Sequence, residues 1–455
     1  MVHEVRSLTF ANRLRGLWGG QGTLRQHLAR ATAGSAALAL SSKLLMLLTS
    51  IVLARWMGVE GYGAYVTAMA LVLLLTVPTG LGLPTLVIRL LASYRVHQQW
   101  GLMRGLLVRG NQAVLGASLV MALAAAAAIW GLEDRLGLVP VVYVLALALI
   151  PLTALGAMRS AALRGLHHVI LGQLPENLIM PALFLALVAG WWLVMGGSAA
   201  LSPELAILAR IVATAAAFGV GAALLLRRLP NEFRHARPSY DTRKWARAAG
   251  PLLFLGGMSI INTQTDVLML AAMQGTESAG IYGAAARGAE LVAFSLVVVN
   301  MAIQPTISRC YAAGEMQRLQ RVITTAARVT VALALPAALI LSLFGRPILG
   351  LVFGNEFERG ALCLAILCGA QVVNAGAGSV GNILNMTGHE RDAALGLALG
   401  AFINVVLNAV LVPVWDIEGA ALATGMSLVV WNVFLVTRVR RRLSLDSTAI
   451  GLVKL

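Results

Sequence analysis

The sequence predicts an all-α polytopic membrane protein with twelve transmembrane helices in two pseudo-symmetric six-helix lobes. Three observations predict it. Hydrophobic residues make up 59% of the 455 and charged residues only 12%, against roughly 25% charged in soluble domains. That is too little polar side chain to cover an aqueous surface. Twelve stretches are apolar over the ~20 residues that a helix needs to cross a ~30 Å hydrocarbon core. Finally, Lys and Arg concentrate in alternate connections between those stretches, the pattern of the positive-inside rule. The runs lack the period-two alternation of a membrane barrel.

Taken in order, residues 1–33 carry Arg6, Arg13, Arg15, Arg25 and Arg30. The apolar run that follows is long and begins only after Arg30, unlike a signal peptide, so this stretch is expected to be a basic cytoplasmic tail, in part an interfacial helix. Spans are expected at 34–56, 64–88, 110–130, 138–158, 174–196 and 203–226, together an N-lobe over 34–226. Residues 227–247 hold Pro230, Pro238 and a dense basic set, which reads as a cytoplasmic linker. A C-lobe over 248–437 contains spans at 248–272, 281–305, 324–345, 361–383, 393–413 and 418–437. Residues 438–455 are expected to be a cytoplasmic C-terminal tail. With both termini inside, the outer hairpins hold Arg55, Arg135, Arg346 and Arg359 against Glu60, Glu133, Asp134, Glu204, Glu277, Glu356, Glu358, Asp416 and Glu418.

One short segment repeats. Gly58-Val59-Glu60-Gly61-Tyr62-Gly63-Ala64-Tyr65 is echoed by Gly275-Thr276-Glu277-Ser278-Ala279-Gly280-Ile281-Tyr282 about half a chain later, with Gly, Glu, Gly and Tyr in register. Each copy joins the first two spans of its half. An echo at one fixed offset is the trace of internal duplication, and six spans per half relate the halves by an axis along the membrane normal. Both copies are expected to be tight outer turns.

Other function classes have little support. The net charge of +16 belongs to the inside loops and not to a compact nucleic-acid-binding domain. Cys310, Cys363 and Cys368 are odd in number and lack CxxC spacing, so neither a disulfide framework nor a zinc site is implied. None of the seven histidines has metal-ligand spacing. There is no Walker-type loop for nucleotide hydrolysis and no catalytic constellation.

The costly residues are the informative ones. Lys43, Arg210, Asp266, Arg287 and Glu290 fall inside expected spans, where a charge costs roughly 2.5–3.5 kcal/mol on insertion scales. Most should therefore face a protein interior or a wet cavity. Arg287 and Glu290 are three apart and share a helix face; a pairing of Asp266 with Arg287 for packing is the plainer alternative. Gln371, Asn374, Asn382, Asn385, Asn404 and Asn408 form polar stripes that read first as helix-packing contacts. Pro78 and Pro84, around Gly80 and Gly82, mark bending points in the second span.

The motifs that carry a family likeness are Ser42-Lys43, the run Ala54 to Tyr65, the run Gly80 to Arg89, and Leu384-Asn385-Met386-Thr387-Gly388-His389-Glu390-Arg391, followed by Asn404, Asn408, Pro413 and Ile417 to Thr424. Over about residues 30–440 the chain resembles the polysaccharide-biosynthesis flippase family, within the multidrug/oligosaccharidyl-lipid/polysaccharide exporter superfamily. The resemblance implies two six-helix lobes around a central cavity. It implies a transporter, not an enzyme, that moves a polyprenyl-pyrophosphate-linked oligosaccharide, of exopolysaccharide or O-antigen type, from the cytoplasmic to the outer leaflet of the inner membrane by alternating access. On that reading Lys43, Arg89, Arg210 and Arg287 bind the pyrophosphate, and Asp266 and Glu290 couple a proton or sodium ion. Membrane lipids, a polysaccharide polymerase and glycosyltransferases are the implied partners. The rival readings are a cation-coupled multidrug extruder of the same superfamily and a polytopic glycan polymerase or ligase.

Overall fold

The computed structural model describes residues 21–131, 140–196 and 201–451. Among them every regular element is helical. α1 (Gln21–Gly80) takes in the first expected span and most of the second, and breaks at Gly58, where φ is 69° and ψ is −177°. Only glycine adopts that backbone freely. α2 (Leu83–Val96) follows a break at Leu81 and Gly82, both with positive φ. The expected bend therefore falls between Pro78 and Pro84, not at either ring. α3 (Trp100–Gly131), α4 (Pro140–Leu147) and α5 (Leu149–Gly165) come next.

α6 (Val169–Leu174) passes through a π turn at Pro175–Ile179 into α7 (Met180–Val194). Pro175 lacks an N–H, and a π turn is one way to take up the slipped pairing. α8 (Pro203–Arg228) starts at the Ser202 cap, whose hydroxyl accepts from Leu205 N. α9 (Asn231–His235), α10 (Thr242–Met273), α11 (Thr276–Ala312), α12 (Met316–Leu343) and α13 (Gly345–Val352) follow. A 3-10 turn at Asn355–Gly360 leads to α14 (Ala361–Ala377), α15 (Val380–Met386) and α16 (Glu390–Leu443). α16 breaks at Trp415 and Asp416.

Nine helices among the described residues are long and apolar enough to cross a membrane, and the two containing α1 and α16 each span one of these breaks. α10 is not among the nine. Its middle reads Asn262-Thr263-Gln264-Thr265-Asp266, which lowers its hydropathy. The stretch 21–33, expected in the tail, is the first part of α1. The rest of that tail, with Arg6, Arg13 and Arg15, lies outside the described residues, as do Glu133, Asp134 and Arg135. Helices overrun the expected spans at one end of the bundle, because amphipathic turns continue the helix beyond the apolar run.

The connection between the halves is packed. Phe233 and Trp245 are buried. Arg104 Nη1 donates to the Arg234 and Ala236 carbonyls at 2.7 and 2.8 Å, and Trp245 Nε1 donates to Tyr94 Oη at 3.0 Å. Much of the expected linker is thus α9 and the start of α10, seated on the first half. The expected C-terminal tail is ordered as well. α16 continues to Leu443, and residues 444–451 fold back so that Ala449 N donates to the Gly376 carbonyl at 2.9 Å.

The two ends of the bundle differ. At the hairpin end one core runs through both halves, with Tyr62, Tyr65 and Phe184 from the first and Tyr282, Phe353 and Phe357 from the second. The echoed segments meet there. A Cβ on Gly63 would overlap the Thr276 carbonyl, and one on Gly280 would lie 2.6 Å from the Val59 carbonyl. Gly275, the counterpart of Gly58, has φ 95° and ψ 174°, nearly the same backbone. At the opposite, basic end the core splits in two. One cluster, around Leu86, Met103 and Phe233, draws nothing from beyond Leu252; the other, around Ile323, Ile383 and Leu435, draws nothing from before Ile303. The halves are joined at the hairpin end and part toward the basic end.

Candidate functional site

A cavity of about 1060 Å³ lies between the halves. Its wall is formed by α1, α2, α5, α6, the π turn, α7, α8, α10, α11, α14 and α16. The lining mixes aromatic residues (Tyr62, Tyr65, Phe218, Tyr282, Trp431), uncharged polar side chains (Thr153, Gln173, Asn177, Asn262, Gln371) and charges (Arg164, Glu176, Arg210, Asp266, Arg287, Glu290).

Three of the expected charges form one cluster. Glu290 Oε2 accepts from Lys43 Nζ at 2.8 Å, and its Oε1 accepts from Arg287 Nη1 at 2.8 Å. Glu290 therefore ties α1 to α11 and balances one of two cations, leaving the cluster net positive. Lys43 and Glu290 are 49% and 40% exposed, a degree at which an ion pair is worth at most about 1 kcal/mol. A pair held that weakly can exchange its carboxylate for another anion.

Arg210 stands with its guanidinium 5.2 Å from the Phe184 ring centroid. It makes no ion pair with any acid among the described residues. Arg164, in the last turn of α5, also lines the cavity without an ion pair among them. It was not foreseen, because the expected span ended before it and it counted as a loop cation. Arg89 is exposed on α2; Thr85 and Ile88 line the cavity and Arg89 does not.

Asp266 has a different environment. It is 4% exposed and does not pair with Arg287. Its Oδ1 accepts from Asn404 Nδ2 at 3.0 Å and Asn408 Nδ2 at 2.7 Å. Its Oδ2 accepts from Tyr282 Oη at 2.7 Å and Thr424 Oγ1 at 2.5 Å. Asn404 and Asn408, which read first as packing contacts, thus hold the one buried carboxylate of the cavity wall. The amide oxygens Asn404 Oδ1 and Asn408 Oδ1 are buried without a partner. Amide orientation is set by the hydrogen-bond network. If both amides turned, four or more hard oxygens would converge on the carboxylate, a donor set suited to a small hard cation.

A second charged pair escaped the sequence reading. Arg159, 4% exposed, bonds Glu176 at the π turn, and its Nη1 donates to the Ala217 carbonyl at 3.2 Å. A Cβ at Gly221 would overlap this guanidinium, so Gly221 makes its slot. The expected span ended at residue 158, one short of Arg159. Glu176 lies two residues inside the expected span 174–196 and was not singled out among its charges.

The comparisons agree with this geometry. Residues 28–311 match the sequence model of the family described as polysaccharide biosynthesis protein, and residues 257–410 match the MatE family. A probable low-salt glycan biosynthesis flippase, Agl15, from Haloferax volcanii is 26% identical over 198 residues. The match covers 44% of this chain and 41% of that relative, so the chain aligns with less than half the relative's length. Among solved structures, an inward-facing multidrug resistance MATE family transporter of the MOP superfamily superposes with a TM-score of 0.72 at 14% identity, over 90% of this chain and 98% of the other. The lipid II flippase MurJ in an inward closed conformation superposes with a TM-score of 0.67 at 14% identity, over 89% and 87%. These likenesses show the fold. Since the first family model spans well over half the sequence, the chain belongs to the polysaccharide biosynthesis protein family.

Proposed function

We propose that this protein is a flippase for a polyprenyl-pyrophosphate-linked oligosaccharide, an exopolysaccharide or O-antigen repeat unit. It carries the glycan from the cytoplasmic to the outer leaflet of the inner membrane by alternating access. Counting α1 and α16 as two spans each and including α10 gives twelve helices in two lobes, with both termini cytoplasmic. One observation carries the reading: a cavity with a mixed polar and apolar wall, holding the net positive Lys43–Arg287–Glu290 cluster at its side, lies between halves that are joined at one end and parted at the end rich in Lys and Arg. That end faces the cytoplasm by the positive-inside rule.

The pyrophosphate takes Arg287, Lys43 and Arg210, with Arg89 outside the mouth and Arg164 inside it. The glycan lies against the polar and aromatic wall while the polyprenyl chain stays in lipid. Asp266, with Asn404, Asn408 and Thr424, takes a sodium ion or proton. Protonation of Glu290 would release Lys43 and Arg287 for cargo. The Agl15 relative supports the glycan class, and the net positive Lys43–Arg287–Glu290 cluster disfavours a cationic drug as cargo at that place.

The test is reconstitution of the full chain in vesicles with a labelled lipid-linked oligosaccharide in one leaflet. Transfer to the other leaflet above the protein-free rate, with the glycan chemically unchanged, is expected. Drug efflux without glycan transfer would support the extruder instead, and a covalently altered glycan would support the polymerase or ligase.

A further inference from the structure

A second cavity, of about 1310 Å³, lies on the other side of α14 and α16 from the central one. The two share no lining residue. Gln371, Leu428 and Trp431 face the central cavity; Val372, Val373, Val429 and Val433, their sequence neighbours, face this one. The helices alternate faces, so α14 and α16 stand between the two cavities.

The second cavity has two chemically distinct parts. Its deep walls are aliphatic, supplied by Val331 of α12, Val372 and Val373 of α14, and Val429 and Val433 of α16. Its rim at the basic end carries Arg321 and Arg440. Arg440 Nη2 is engaged with Asp446 Oδ2 at 3.0 Å. Arg321 is exposed and makes no ion pair with any acid among the described residues. The folded-back segment 444–451 closes one side: Gln320 exchanges hydrogen bonds of 2.7 and 2.8 Å with the backbone of Asp446.

The length of the groove points to its occupant. At ~1.5 Å per residue, the run of α16 from Val429 to Arg440 is about 16 Å, close to half of the ~30 Å hydrocarbon core. An apolar slot one leaflet deep, with the exposed Arg321 guanidinium at its headgroup level, is complementary to a lipid of that leaflet with a negative head.

We propose that this groove is a binding site for an anionic phospholipid from the leaflet on the basic side, with its phosphate at Arg321 and an acyl chain between α12, α14 and α16. With α14 and α16 between it and the central cavity, the groove suits a resident lipid rather than the tail of the cargo. The bound lipid fastens α12 to the pair formed by α14 and α16.

The experiment uses the full-length chain, purified in detergent and stripped of lipid, then incubated with phosphatidylglycerol or with phosphatidylethanolamine of the same acyl chains. Native mass spectrometry counts the lipid retained. Phosphatidylglycerol should be retained in preference. R321Q should weaken that preference about fivefold, the effect of one basic residue near an anionic surface, and V433W, which fills the groove, should abolish retention of both lipids. R321Q alters an exposed side chain, so it keeps the test valid if V433W folds poorly. Equal retention of the two lipids by the wild-type chain would overturn the proposal. So would retention indifferent to both substitutions, or a polyprenyl phosphate that displaces phosphatidylglycerol from the groove.

Discussion

At the scale of single residues, the cavity separates two kinds of carboxylate. Glu290, 40% exposed, bridges two cations, which on the proposed function suits a group that yields to an anion. Replacing Arg287 or Lys43 by Ala should leave expression and thermal stability near wild type and lower glycan transfer by at least tenfold. Normal transfer by either well-folded variant would remove that residue from the binding set. Asp266 is the opposite case, a buried carboxylate that accepts four hydrogen bonds. D266A leaves those donors unpaired, at a cost of about 1–3 kcal/mol per group, and should lower the unfolding temperature. D266N keeps the shape, loses the charge and should abolish any stabilisation of the protein by sodium over potassium. A D266N protein that still responds to sodium would place the ion elsewhere. These charges are visible in the sequence because each is expensive within an apolar run. Their partners are not, because Asn404, Asn408 and Thr424 reach Asp266 from another helix far along the chain, and an asparagine in a span looks the same whether it holds a helix or an anion.

At the scale of elements, the echoed segments are legible for a physical reason. A reversal with positive φ at Gly58 and Gly275, and a near-contact of backbones at Gly63 and Gly280, both demand glycine, so the same glycines recur in both segments. Their meeting face to face was not legible, since the pattern gives each turn and not its partner. G63V or G280V should push the hairpins apart and abolish accumulation of folded protein, whereas G190A, which meets open space, should be neutral or slightly stabilising. Recovery of well-folded G63V would mean that the halves do not need this contact. The folded-back C-terminal segment shows the limit of reading by apolarity. Residues 444–451 are neither apolar nor long, and they are fixed by hydrogen bonds to α12 and Gly376. Burial raises the Asp446 carboxyl pKa, but hydrogen bonds from Thr448 N and Oγ1 and the charge of Arg440 outweigh it, and the folded-state value lies below the ordinary 3.8. A depressed pKa means that the contribution of Asp446 is complete above 3.8 and is lost as pH falls through the lower folded value. Protease protection of this segment should accordingly be constant from neutral pH down to about 4 and decline only below that. D446N should be less protected at neutral pH than the wild-type chain.

At the scale of the whole molecule, the split core says which end must move. The hairpin end is sealed by apolar packing and by polar contacts that cross between the halves. Arg55 Nε donates to the Val352 carbonyl at 2.8 Å, with Nη2 on the Leu351 carbonyl, so a cation from the first half covers the C-terminal carbonyls of α13, a favourable placement for positive charge. Val59 N donates to Glu356 Oε2 at 3.2 Å. The glycine contact behind them has no rotamer to adjust, so an opening at this end separates the hairpins as rigid bodies and breaks the polar contacts together. Removing two such contacts, at about 1–3 kcal/mol each, shifts a two-state balance toward the open form by roughly 30-fold or more. The double variant R55Q/E356Q should therefore populate an outward-open state without cargo. A cysteine placed at Leu53, in the cavity wall and 1% exposed, reports that state, because the native Cys310, Cys363 and Cys368 are all buried. An impermeant maleimide added from the hairpin side should label L53C slowly in the wild-type background and much faster in R55Q/E356Q. S160C, in the cavity wall on the first half, should lose labelling from the basic side in the same variant. Faster labelling of L53C with unchanged S160C would indicate local loosening of the hairpin end, and no change at either position would mean that these contacts do not hold the halves in this arrangement.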